Sequence, residues 1–167
     1  RPYRLLFSIL LLITLGFTTI DKRTLPNEKE NKIEIKNILD LVNKDTTNAL
    51  NIIRTKIFIN PKYILDKNTL PCCDRPEKSP ISYRLVFEDN KFKLALCINA
   101  DNTVLWAMVD IKKKNILDKQ NILAQLKDVG FSKIKEDENS IQCENKKTMR
   151  RAFVVLNGDK VGHFTFS

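Results

Sequence analysis

Glycine and proline are scarce in this chain, 4 and 6 among 167 residues, which excludes a collagenous or low-complexity polymer. The four glycines, Gly16, Gly130, Gly158 and Gly162, are isolated, so none belongs to a phosphate-cradling loop. His163 is the only histidine. A Cys–His nucleophilic pair would have to use it, yet no characteristic sequence surrounds any cysteine, and no G-x-S-x-G turn supports a serine triad. No Asn-x-Ser/Thr acceptor occurs among sixteen asparagines, which suits an exported bacterial protein better than a eukaryotic secretory one.

What is present begins with a short basic, then apolar, N-terminus. Arg1 and Arg4 flank the run LLFSILLLITLGF at residues 5–17, followed by Thr18 and Thr19. This reads as a secretory signal peptide over residues 1–20, with an uncleaved signal anchor as the alternative if Ile20 extends the run. No cysteine closes the run, so a lipoprotein anchor has no attachment point. The expected location is secreted or periplasmic, in a bacterial envelope. Residues 21–32 (DKRTLPNEKENK) form a polar linker.

The formal charge is +9, with 29 Lys and Arg against 20 Asp and Glu. The surplus is mostly lysine scattered along the chain, which reads as a solvated surface. Basic runs at Lys112-Lys113-Lys114 and at Lys146-Lys147 with Arg150-Arg151 lack an interleaved aromatic platform, so no nucleic-acid partner is expected; a polyanion binder is the minor alternative. The acidic groups Glu88-Asp89 and Glu136-Asp137-Glu138 fall at expected turns rather than in a cleft.

Four cysteines, Cys72, Cys73, Cys97 and Cys143, suggest disulfides in an exported chain. Adjacent cysteines rarely pair with each other, so Cys72 and Cys73 are expected to bond separately to Cys97 and Cys143. Paired C-x₂-C spacing is lacking, and neither zinc nor any cofactor is implied.

From Ile33 to Ile57 apolar residues recur at three and four, predicting helices divided by the polar segment 43–47, with Asp45 capping the second. After a short segment at Tyr63-Ile64-Leu65, alternating runs predict strands over 81–88, 92–98 and 104–111, the last apolar on both faces and suited to a central position. Asp118 then caps a helix that Gly130 terminates, with Leu117 and Ile122 as its hydrophobic staple. Strands at 131–135, 140–144, 151–156 and 161–166 follow, with Asn157-Gly158 as a hairpin turn.

The two halves also align. DTTNALNIIRTKIF at Asp45 matches DKQNILAQLKDVGF at Asp118, and Ile98-Asn99-Ala100-Asp101 matches Leu156-Asn157-Gly158-Asp159. The expectation is an α+β fold, an antiparallel sheet with helices on one face, built from two tandem helix-plus-four-strand units at 33–111 and 112–167. That layout resembles the secreted β-lactamase inhibitory proteins, although no motif of that family occurs here. The resemblance implies docking of an enzyme on the open sheet face.

Continuing the alignment sets Trp106 and Met108 against Phe164 and Phe166, on one strand parity. These four are core if helices cover their face, and a protein-docking patch if they do not. Large aromatics are more often buried than displayed, so core is the expectation, and the other parity (Leu105, Ala107, Val109; Val154, His163, Thr165) is then the open face. Trp106, Met108, His163, Phe164 and Phe166 are therefore the candidate binding residues. The functional expectation is an exported, non-enzymatic interaction protein, an inhibitor or envelope module. A small exported hydrolase with an unrecognised site is the competing class.

Overall fold

The computed structural model describes residues 33–58, 61–67, 81–113 and 116–167. The expected leader, the linker, and Cys72 and Cys73 lie outside the described residues. Eight strands form one antiparallel sheet: β1 (Tyr63–Asp66), β2 (Tyr83–Glu88), β3 (Phe92–Ile98), β4 (Val104–Ile111), β5 (Ser132–Asp137), β6 (Ser140–Asn145), β7 (Arg150–Asn157) and β8 (Lys160–Phe166). Their order is β1-β2-β3-β4-β8-β7-β6-β5, so two four-strand meanders meet where β4 pairs with β8. Among the described residues three short helices, α1 (Ile35–Leu39), α2 (Thr46–Ile52) and α3 (Lys119–Asp128), pack on one face of the sheet. The chain is thus an α+β protein.

Local chemistry explains the boundaries. Asp45 and Asp118 cap α2 and α3 by accepting the backbone N–H of Asn48 (3.0 Å) and Asn121 (2.8 Å). Gly130 adopts φ +86°, as the expected terminator of α3. The helical pattern that runs to Ile57 does not stay α: after Ile52 it widens into a π-helical turn, Ile53–Ile57. There the Thr55 hydroxyl donates to the Asn51 carbonyl (2.8 Å), and the Phe58 N–H reaches back five residues to Ile53 (2.9 Å).

One core cluster spans both halves of the sheet. It joins Ile35, Ile38, Ala49, Ile53, Ile122 and Leu126 of the helical layer to Phe87, Leu94, Leu96, Val109, Ile141, Val154, Phe164 and Phe166 of the strands. Helix α1 is too short to hold itself and is clamped at both ends from the second half of the chain. Gln125 of α3 accepts the Ile35 N–H (2.8 Å) and donates to the Ile33 carbonyl (3.3 Å). Arg150 of β7 donates to the carbonyls of Leu39 (3.2 Å) and Val42 (3.1 Å) just past the other end.

Candidate functional site

The face of the sheet away from the helices is the candidate site. Strand alternation fixes which residues it carries. Met108 pairs with Thr165, Thr165 with Phe153, and Phe153 with Gln142, so these four form one row across β4, β8, β7 and β6. A second row runs Glu88, Lys93, Asp110, His163, Val155. Trp106 lies two residues before Met108 on the same side and pairs with Cys97 of β3. Trp106 and Met108 are half-buried, while Phe153 is 40% exposed. Beside them, Ile134, Phe153, Gln142, Arg151, Thr165 and Ser167 line a shallow hollow of about 410 Å³.

The five candidate binding residues therefore do not form one patch. Phe164 pairs with Val109, both fully buried, and the Phe164 and Phe166 rings meet edge to face at 5.6 Å beneath the helices. Trp106, Met108 and His163 stand on the opposite face. The second parity divides likewise: Ala107, Val109 and Val154 are core, whereas His163 and Thr165 are on the open side. The cause is one residue of turn length. Residues 99–103 separate the paired Ile98 and Val104, but only residues 157–160 separate the paired Leu156 and Val161. Aligning the halves through their asparagine turns thus leaves β4 and β8 out of step by one, which exchanges faces for every residue beyond.

Of the four cysteines expected in disulfides, only Cys97 and Cys143 lie among the described residues. Cys97 faces the open side and Cys143 belongs to the core cluster on the helix side, four strand spacings away across the sheet. Cys143 is a buried thiol whose pKa is pushed up by burial, so it is a poor nucleophile.

Sequence reading missed the polar constellation at the sheet centre, because its members lie far apart in the chain. The His163 Nδ1 lies 2.6 Å from Asp110 Oδ1, and its Nε2 lies 2.8 Å from the Thr165 hydroxyl. Asp110 offers only acceptors, so Nδ1 carries a proton and, in the neutral ring, Nε2 accepts from Thr165. Carboxylate, imidazole and hydroxyl are thereby lined up as in a nucleophilic triad. Thr165 sits mid-ladder between β4 and β7, however, where the strand N–H groups are engaged in interstrand bonds rather than offered to an oxyanion.

Three members of the basic runs have local partners. Lys112 pairs with Glu88, Lys146 lies 3.7 Å from Glu144, and Arg150 is committed to the α1 carbonyls. Lys119 and Lys133 both bind Glu136, holding its carboxyl at about 2, well below its ordinary value, chiefly through the Lys119 hydrogen bond. Among the described residues no cluster of three metal-ligating side chains occurs, and no helix is long and apolar enough to cross a membrane. Comparisons with family models, with curated proteins and with solved structures find no match.

Proposed function

We propose that the protein is an exported, non-enzymatic binding module that docks a protein partner on the open face of its sheet. The observation carrying this reading is the placement of Met108 and Phe153 in one central row, on either side of Thr165 and with Trp106 beside them: large apolar side chains, half-exposed, on the face that the described helices do not cover. They are rimmed by Arg151, Glu144 and the Asp110–His163 pair, and such an apolar centre within a polar rim is how protein interfaces are built. Export rests on the Arg-flanked apolar run at residues 5–17.

We also read the fold as two tandem units. Support comes from matched local bonds as well as matched element order. Asp45 bridges Thr103 and Asp118 bridges Lys160; the Thr46 N–H reaches the Asn102 carbonyl (2.9 Å) as the Lys119 N–H reaches Asp159 (3.0 Å). The Val104 N–H meets the Lys44 carbonyl (2.8 Å) as Val161 meets Leu117 (3.1 Å). Each helix start is thus tied to the last hairpin turn of its own meander.

The deciding experiment places a photo-crosslinking residue at Met108 in the producing cells. Specific capture of one protein, lost in Trp106→Ala while circular dichroism is unchanged, supports the reading. No adduct, or capture that is indifferent to Trp106 and Phe153, overturns it. The second reading, an exported hydrolase, is favoured by the Asp110–His163–Thr165 line alone. It requires ester or amide hydrolysis that His163→Ala abolishes and that Thr165→Ala abolishes equally.

A further inference from the structure

The two outer strands of the sheet are built on opposite principles. An edge strand presents a row of backbone donors and acceptors to any passing strand, and proteins blunt it with charge, bulges or proline. Strand β5 is blunted: all six residues are exposed, Lys133, Lys135, Glu136 and Asp137 are charged, and its register with β6 shifts between Lys133 and Lys135. Strand β1 is not. Its register with β2 is unbroken from Tyr63 to Asp66, and Tyr63, Ile64 and Leu65 are 47%, 69% and 49% exposed. Among the described residues, β1 has no strand on its outer side.

We propose that β1 is a self-association edge: two copies of the chain pair their β1 strands antiparallel about a two-fold axis through Ile64, making one sheet continuous across both. A second copy is the occupant because the local sequence Lys62-Tyr63-Ile64-Leu65-Asp66 is complementary to its own reverse. With Ile64 opposite Ile64, Tyr63 meets Leu65 and Lys62 meets Asp66, twice each by symmetry. Lys62 is exposed, and Asp66 binds Arg84 of β2 at 2.5 Å, so the second copy's Lys62 is set beside a carboxylate of opposite charge. Side chains also sort by face. Ile64 shares the open side with Val86 and Ala95, and its apolar surface meets only its own copy. Tyr63 lies on the helix side with its ring 5.6 Å from Phe87, where the second copy's Leu65 extends the same apolar seam. Shifting the register by one residue would set Lys62 against Leu65 and reverse the faces, so pattern and charge select the same alignment.

The test is the mass of the full chain by sedimentation equilibrium over a wide concentration range. The expected result is a mass rising to twice the monomer value. Ile64→Lys should return it to the monomer mass with unchanged circular dichroism, since Ile64 is the most exposed residue of the strand. Lys62→Asp, which sets like charges opposite Asp66, should weaken the dimer by about tenfold. Mild oxidation of Ile64→Cys should add a cross-linked dimer beyond any seen in wild type, whereas Leu65→Cys should not. Monomer mass at every concentration overturns the proposal, as does a dimer that Ile64→Lys leaves intact. A cross-link through Leu65→Cys in place of Ile64→Cys overturns the register and the axis with it.

Discussion

Phe164 has no accessible surface and is wedged between Phe166 and the helical layer, so Phe164→Ala opens a cavity in the one core. Its expected cost is about 3–5 kcal/mol, read as a lowered denaturation midpoint. Trp106→Ala, on the opposite face, should leave the midpoint nearly unchanged, so the pair of variants separates core from docking surface by stability alone. Gly130 is a second sensitive residue. It holds a positive φ, and a Cβ there would lie 3.0 Å from the Asn145 side-chain amide that donates to the Val129 carbonyl. Gly130→Ala is therefore expected to cost about 1–2 kcal/mol, measured the same way. Gly130 as a helix terminator was legible from its position after Val129. Its second role, leaving room for Asn145, was not, because the amide arrives from β6.

Among elements, α1 is the clearest case of structure held from elsewhere. Its five residues lack a side-chain cap of their own, and both ends are satisfied by Gln125 and Arg150. Arg150→Met should cost about 1.5–3 kcal/mol and speed hydrogen exchange in α1 before the sheet is affected. The start of α3 is tied to β5 by electrostatics instead, through Lys119 and Glu136. Because the folded-state carboxyl titrates at about 2, below its ordinary 4.5, this tie is fully present above about 4.5 and is lost as pH falls towards 2. An acid titration of stability should show that loss in wild type and not in Glu136→Gln. The strands themselves were legible: alternation at Phe92, Leu94, Leu96 and Ile98 gives β3 directly, and the apolar run at 104–111 gives a strand fourth of eight in the sheet. The π-helical turn after Ile52 was not, since apolar spacing alone does not tell a four-residue step from a five-residue one.

For the whole molecule, the single cluster running from Ile33 to Phe166 implies one cooperative unit. Denaturant unfolding followed by the fluorescence of Trp106, in the first meander, should coincide with the loss of far-UV dichroism from both. Two separated transitions would mean that the meanders fold independently despite their shared β4–β8 ladder. Such independence would also weaken α1, whose clamps come from the second half.

The sequence by itself determined the elements and their caps, because these depend on residues close together: Asp45 and Asp118 at helix starts, alternation along each strand, Asn157-Gly158 at the last turn. It also carried the α+β class, through helices followed by runs of short strands. What only the tertiary structure decided is which side of the sheet each residue occupies and what it meets there. One additional turn residue between Ile98 and Val104 put Trp106 opposite in facing to Phe164, and no local pattern records that offset. The Asp110–His163–Thr165 line likewise exists only because β8 returns beside β4, bringing together residues that the chain keeps far apart. Strand period is a property of neighbours, but facing is a property of the ladder, and a ladder is fixed by every turn that precedes it.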